Sequence, residues 1–485
     1  MNPTKKIKTY QDDVYVQSKR WTILIILNLF VFMSTLDASI VNIALPVIAK
    51  KLNLPVSQIQ WVVTAYLIAI CTFILFFGKL GDMYGKIKIF KLGSVIFLIG
   101  SLLCGLGSNL PLLILFRIIQ AIGASMTMAN SPGIVTDIFP ANERGRAMGF
   151  IGTFVSLGSI AGPSLGGVLL SILGWQSIFW VNLPIGLIAI GIGWKLLPSD
   201  ISFLKVKLDI SGSLLFSIFI ITLFSGLLLG QEVGYQNNLI LSALALSFVS
   251  FVLFFWVEFH KPEPMLKLSL FKNKLFSLSI LCGFLVFVST FCFNIIGPFY
   301  TQDILHLSPF SAGLILMLFP ATMAIVAPLS GALSDKIGSE LLTFVGLIVM
   351  VISQLGLATL HTGSSITLVG VLVAMLGIGN GLFQSPNNSL IMSTVPKPHL
   401  GIAGSVNSLI RNVGMVVGIT VATTTLFAVM SHKAGTRVTG VIPERPELFI
   451  EGMHVVFIAS AGICLVSALL TGWRLAKAKV FVEKY

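Results

Sequence analysis

Gly78-Lys79-Leu80-Gly81-Asp82-Met83-Tyr84-Gly85 recurs in the second half of the chain as Gly331-Ala332-Leu333-Ser334-Asp335-Lys336-Ile337-Gly338. Each copy lies between two long uncharged runs, so each reads as a tight turn joining two membrane helices. Three more matches keep the same order: Asn42…Pro46 with Asn294…Pro298, Ser131-Pro132 with Ser385-Pro386, and Gly158/Gly162 with Gly414/Gly418. One such match is chance; four in sequence indicate a duplicated helical unit. In a polytopic membrane protein, paired halves point to a transporter whose site lies near the bilayer midplane, between the repeats.

The composition supports this reading. Of 485 residues, 55% are hydrophobic and only 10% are charged, against about 25% charged in an average soluble protein. A soluble enzyme, a disordered chain and a coiled coil are excluded. The net charge of +13 would fit nucleic acid, but the cytoplasmic loops of membrane proteins also collect Lys and Arg. No nucleic-acid partner is expected. The five cysteines, Cys71, Cys104, Cys282, Cys292 and Cys464, sit inside apolar runs without metal-knuckle or disulfide-framework spacing.

About 20 apolar residues cross a bilayer as a helix. Uncharged runs between Lys91 and Arg117, Arg146 and Lys195, Asp209 and Glu232, Glu232 and Glu258, Lys274 and Asp303, and Glu340 and Lys397, with the remaining apolar stretches, divide into fourteen spans. The polar segment before Trp21 lacks the apolar core and cleavage site of a cleaved signal peptide, so the run from Trp21 is expected to be a retained first helix. With the N-terminus in the cytoplasm, 24 Lys and Arg fall in inner segments and five in outer ones, while Arg117 and Arg411 lie within spans. That bias places both termini inside. The expected fold is an all-α polytopic membrane protein of two pseudo-symmetric six-helix bundles plus two inserted helices. Its parts are a cytoplasmic segment 1–20, a bundle 21–198, a linker with the extra pair 199–260, a second bundle 261–474 and a tail 475–485.

Together these features resemble the major facilitator superfamily, and within it the fourteen-helix drug:proton antiporter branch. Leu36-Asp37-Ala38-Ser39-Ile40-Val41-Asn42-Ile43-Ala44-Leu45-Pro46 looks like the helix 1 signature of that branch. Residues 78–91 look like the superfamily's loop 2–3 motif. Arg117-Ile118-Ile119-Gln120-Ala121-Ile122-Gly123 looks like its helix 4 motif, with Ala121 where Gly is usual. Gly158-Ser159-Ile160-Ala161-Gly162-Pro163-Ser164-Leu165-Gly166-Gly167 looks like the antiporter motif of helix 5. The resemblance implies proton-coupled export of amphipathic or cationic drugs across the cell membrane by alternating access. It also implies a conformational latch at Gly78, Gly81, Asp82, Gly85, Lys86 and Asp335.

Asp37 is 17 residues from Arg20 and 13 from Lys50, which puts it near mid-bilayer. It is the one acidic residue deep in a span. A carboxylate there must be neutral, paired or in a wet cavity. The functional reading is a protonation site facing the central cavity; the structural one is a fixed ion pair. Arg117, at comparable depth, is the expected partner, or else a brace to backbone carbonyls. Arg411 is either a substrate contact or a cytoplasmic-side brace. One deep negative charge against two positive ones argues against divalent cations. Asp82, where the turn enters helix 3, can interact with that helix's N-terminal amides. Gly158 and Gly162 have the spacing of close helix contacts, and Pro163 bends the helix that Gly166 and Gly167 continue. This surface is a gate against the other half or a packing bend. Cavity candidates are Asn42, Trp61, Tyr66, Gln120, Phe293, Asn294, Gln384, Asn387, Asn388 and Arg411.

No P-loop, H-E-x-x-H or G-x-S-x-G motif occurs. No cofactor, no metal and no enzymatic activity are expected. The expected partners are a small-molecule substrate, protons and membrane lipid, with the chain acting as a monomer. A lipid or metabolite translocator on the same scaffold is the alternative. A membrane-embedded enzyme would need clustered His/Asp or Ser/His at one face, and a sensor would need a sizeable soluble domain; neither is visible in the sequence.

Overall fold

A computed structural model describes residues 9–140, 143–201, 209–261, 268–395 and 400–482. Among these, thirteen helices are long and apolar enough to cross a membrane. Arg144–Ile172, 29 residues with an apolar stretch Ile160–Ile172, makes a fourteenth. In chain order they are α1 Val14–Leu52, α2 Val56–Tyr84, α3 Lys86–Leu106, α4 Leu110–Ile138, α5 Arg144–Ile172, α6 Ser177–Leu196, α7 Ile210–Val233, α8 Asn238–His260, α9 Lys274–Ile304, α10 Pro309–Ser334, α11 Ser339–Leu357, α12 Ile366–Ser393, α13 Leu400–Ala434 and α14 Pro446–Val482. No strand occurs among the described residues. In hydrocarbon every backbone group must be bonded within its own segment, which leaves the helix as the solution for these runs.

Polar residues start the helices where the chain enters the bilayer. Asp13, Asn109, Asn237, Asn273, Ser308 and Ser365 each accept hydrogen bonds from first-turn amides of α1, α4, α8, α9, α10 and α12. Such caps satisfy donors the helix cannot. Prolines sit at matching places of the repeat, Pro46 in α1 and Pro298 in α9, Pro132 in α4 and Pro386 in α12.

The two halves use the same pairings. In the first, α1 packs on α5, α3 on α4 and α2 on α4; in the second, α9 packs on α13, α11 on α12 and α10 on α12. Across the seam, α5 meets α10 and α2 meets α13, again equivalent pairs. The inserted helices pack on each other, and α7 touches both α2 and α13. Gln231 of α7 accepts from Gln60 Nε2 (3.0 Å) and donates to Thr423 Oγ1 (3.0 Å) and Thr424 Oγ1 (2.7 Å). The carbonyls that end α7 are met by Arg437, from the segment between α13 and α14. The outer face of α8, with Phe248, Val252, Trp256 and Phe259, is exposed, as a lipid-facing surface requires.

The 78–91 turn differs from expectation in one respect. Asp82 ends α2 and lies 3.6 Å from Lys86. The amides that open α3 are capped by Asp200 instead: Ile87 N and Lys88 N each donate to its carboxylate at 2.9 Å. The chain reverses at Gly85 with φ +109°, where a Cβ would lie 2.3 Å from Asp200 Oδ2. That reversal aims Asp82 away from the new helix, and Asp200, arriving from the end of α6, takes the vacant place. Lys86 also reaches Asp137 at the end of α4 (2.9 Å).

Candidate functional site

Asp37 is fully buried in the first bundle. Its Oδ2 accepts from Arg117 Nη1. Its Oδ1 accepts from Gln120 Nε2 at 2.8 Å and from Asn182 Nδ2 at 3.2 Å. Arg117 Nε donates to the Val62 carbonyl (2.9 Å) and Nη1 also to Gln120 Oε1 (2.7 Å). Gln120 Nε2 reaches Ser101 Oγ at 2.8 Å. Five helices, α1, α2, α3, α4 and α6, therefore meet at one carboxylate–guanidinium pair. The Tyr66 ring lies against the guanidinium, 4.1 Å from its centre, in cation–π contact. Two buried charges repay their desolvation only with good geometry and further hydrogen bonds; here the amides of Gln120 and Asn182 supply them.

A separate cavity of about 160 Å³ lies between the halves. From the first half it is lined by Ser34, Ala38 and Asn42 of α1, Tyr66 and Ile70 of α2, Met128 of α4 and Pro163 of α5. From the second come Phe287, Thr290, Phe291, Phe293 and Asn294 of α9, Phe319 and Met323 of α10, Asn380 and Gln384 of α12, and Arg411, Asn412 and Met415 of α13. Among the described residues, Arg411 is the one formally charged side chain on this lining.

Asp37 is not on the cavity wall. The functional reading of the sequence has it facing the passage; in the structure it pairs with Arg117 and turns toward α4 and α6, where Gln120 and Asn182 also bond it. Of the cavity candidates, Asn42, Tyr66, Phe293, Asn294, Gln384 and Arg411 line the space. Four others lie elsewhere. Gln120 belongs to the charge cluster. Trp61 lines a separate cleft with Leu54, Asn109 and Glu232. Asn387 is turned toward α9, donating to the Ser279 carbonyl (3.1 Å). Asn388 accepts from Asn407 Nδ2 (3.2 Å). Asn182, Ser101, Thr290, Asn380 and Asn412 were not singled out from the sequence. An isolated amide within an apolar helix is the signal that marks Asn182, Asn380 and Asn412; Ser101 and Thr290 carry none.

Polar contacts join the halves toward the C-terminal ends of α1 and α9. Gln302 Nε2 donates to the Ile43 carbonyl (3.0 Å), and Lys50 pairs with Asp303 (2.7 Å). There α5 approaches α10 through missing side chains: a Cβ on Gly313 would lie 2.4 Å from the Pro163 carbonyl, and one on Gly167 2.9 Å from the Pro309 carbonyl. Gly158, Gly162 and Gly166 face α1 of their own half, the Gly162 Cβ position being 1.8 Å from Ser39 Oγ. One helix thus carries both an internal contact surface and the surface toward the other half. Gly78 and Gly81 face Ala129 and Asn130 of α4, within the first bundle. The side chain of Asp335 lies outside the described residues.

No group of three or more His, Cys, Asp or Glu placed to hold a metal ion occurs among the described residues. The five cysteines are free and buried.

Comparison with known proteins joins these observations. A family profile described as Major Facilitator Superfamily matches residues 27–419. The chain is 41% identical over 401 residues to the riboflavin transporter RibZ of Clostridioides difficile (strain 630), covering 82% of this chain and 87% of that protein. It is 30% identical to the multidrug resistance protein Stp of Mycobacterium tuberculosis (strain CDC 1551 / Oshkosh), covering 93% of this chain and 91% of Stp. To the multidrug transporter protein MdtP of Bacillus subtilis (strain 168) it is 31% identical, over 87% of this chain and 77% of MdtP. Its fold is similar to a crystal structure of a bacterial homolog of the human lysosomal transporter Spinster, in an inward-facing and occupied conformation, with a TM-score of 0.61, 19% identity and coverage of 94% of this chain and 96% of that one. With its fourteen helices, its duplicated bundles and its relatives of near-equal length, this chain is a multi-pass membrane transporter belonging to the Major Facilitator Superfamily.

Proposed function

We propose that this transporter is a proton-coupled exporter of amphipathic compounds in the cell membrane, acting as a monomer with both termini in the cytoplasm. The observation that carries the reading is the Asp37–Arg117 pair, buried one layer behind the cavity wall. Protonating Asp37 cancels its attraction for Arg117, which keeps the Val62 carbonyl and Gln120 as partners. Tyr66 links the two places, since it lies on the Arg117 guanidinium and also lines the cavity. Cargo pressing on Tyr66 and proton exchange at Asp37 are then coupled through one side chain. The expected latch is narrower than the repeat implies: Lys86 between Asp82 and Asp137 ties α2, α3 and α4 within the first bundle, and this brace moves with that bundle as the halves rock. The multidrug names of Stp and MdtP support export.

The test is a liposome assay with an acid interior and a pH-reporting dye inside. Addition of a transported compound should release internal protons in the wild type, and Asp37→Asn should abolish the release for every compound tried. Retained proton release in that variant sinks the coupling role of Asp37.

A second reading, translocation of a metabolite, is favoured by the 41% identity to a riboflavin transporter. In the same assay, a proton response to riboflavin but to none of a panel of toxic amphipaths would select it.

A further inference from the structure

We infer that Arg411 is an anion subsite, and that the cavity takes a flat aromatic cargo carrying a negative charge or a strong hydrogen-bond acceptor, rather than a cation. This rests on the cavity being the cargo site, and it narrows the sequence-level expectation of cationic drugs. Arg411 is the single charged residue among the cavity-lining side chains. No hydrogen bond or ion pair joins it to any described residue, in contrast to Arg117, whose Nε and Nη1 donate to Val62, Asp37 and Gln120. Asp37 cannot offset it, because Asp37 is already paired and lies behind the wall.

A guanidinium in a low-dielectric pocket repels a cation and favours an anion far more strongly than it would in water. Its planar fork also matches carboxylate, sulfonate and imide oxygens. The rest of the lining fits a ring system. Phe291, Phe293 and Phe319 supply apolar walls, while Asn294 and Gln384 present amides that no described residue engages. The free volume of about 160 Å³ is close to that of an engineered cavity of about 150 Å³ that binds benzene. In this conformation the space suits one or two fused rings.

The test uses three fixed-charge probes on one ring system: naphthalene-2-sulfonate, naphthalene-2-sulfonamide and (2-naphthylmethyl)trimethylammonium. Their binding to the full chain in lipid nanodiscs is measured by equilibrium dialysis. The sulfonate should bind about tenfold or more tighter than the ammonium, the scale of one charge-assisted hydrogen bond, with the sulfonamide between them. Arg411→Gln should remove that order, and Arg411→Lys, which keeps the charge, should preserve it in weaker form and guard against a folding defect in the first variant. Equal or tighter binding of the ammonium in the wild type overturns the inference, as does an unchanged order in Arg411→Gln. Asp37→Asn separates this inference from proton coupling. If it stops proton release yet keeps the sulfonate preference, both stand. If wild-type protein prefers the sulfonate but no compound releases protons, the subsite stands and the antiport reading falls.

Discussion

Equivalent positions of the two bundles are filled in opposite ways. Aligning Asn42 with Asn294 sets Asp37 of α1 opposite Ser289 of α9. In the first half the carboxylate meets Arg117, Gln120, Asn182 and, through Gln120, Ser101. In the second, Ser289 Oγ meets Ser460 Oγ of α14 (2.7 Å), Gln354 Nε2 of α11 (3.1 Å) and Cys464 Sγ of α14 (3.0 Å). Aligning Ser131-Pro132 with Ser385-Pro386 sets Val371 opposite Arg117. Three equivalent helices, α1, α3 and α6 in the first half and α9, α11 and α14 in the second, therefore converge on one charged knot and one neutral knot. The neutral version shows that the scaffold closes without charge. A buried ion pair is a weak source of stability compared with apolar or neutral packing, so the pair in the first half calls for a reason other than holding helices together. The second half places its deep charge on the cavity wall instead, at Arg411. The first bundle buries an ion pair; the second buries Arg474 against the hydroxyls of Ser279 and Thr343 and presents Arg411 unpaired on the cavity wall.

Four measurements bear on that contrast. The largest effect is expected from Ser289→Asp, which puts an isolated carboxylate into the neutral knot. It should cost several kcal/mol, read as a large drop in melting temperature in detergent, and a wild-type-like melt would show that the second knot tolerates charge as the first does. Next, Arg117→Gln should destabilise by about 3–5 kcal/mol by leaving Asp37 buried and unpaired. Adding Asp37→Asn to it should recover at least half of that loss while proton-driven transport stays absent. If the double variant is no more stable than the single one, the charged knot is structural and the comparison with Ser289 misleads. Third, Gly418→Ala should cost about 1–3 kcal/mol, because its Cβ would lie 2.5 Å from the Val288 carbonyl. Gly162→Ala should cost a similar amount, since rotating the Ser39 hydroxyl away still leaves Ser39 Cβ at 2.6 Å and the Ile40 amide nitrogen at 2.9 Å; a much smaller loss for either variant would mark that helix contact as the looser of the two. The smallest effect belongs to Lys50→Gln. Lys50 is 68% exposed, and such pairs contribute at most about 1 kcal/mol. Its loss should raise outer-side labelling of a cysteine placed at Asn42 only a few-fold, and no change would assign the closure to the glycine contacts of α5 and α10.

The fold was legible because its signals are local. Uncharged runs mark spans, and the Asp82 and Asp335 turns and the paired prolines mark the repeat. Depth was legible too: counting from Arg20 and Lys50 puts Asp37 near mid-bilayer, at a level comparable to Arg117, and the structure joins them. What the sequence does not carry is rotation. In a helix apolar all round, no polar stripe distinguishes the face toward the cavity from the face toward a neighbour. Gln120 reads from the sequence as a cavity candidate; it is a brace instead, because its amide completes Asp37. Asn387 and Asn388 lie one turn beyond Gln384 on α12, yet face α9 and α13. The capping role assigned to Asp82 went to Asp200 because that residue arrives from a segment more than a hundred positions away, a distance no motif spans.

The seal over Asp37 has a bearing on how the resting molecule treats the membrane voltage. A titratable group open to water on both faces would pass a steady trickle of ions and discharge the gradient at every idle copy. With the carboxylate held by Arg117, Gln120 and Asn182 and with Tyr66 lying over the guanidinium, an unoccupied transporter should be insulating on the proposed coupling. Liposomes carrying the wild type without cargo should hold an imposed pH difference as long as protein-free ones, and Tyr66→Ala should make them leak.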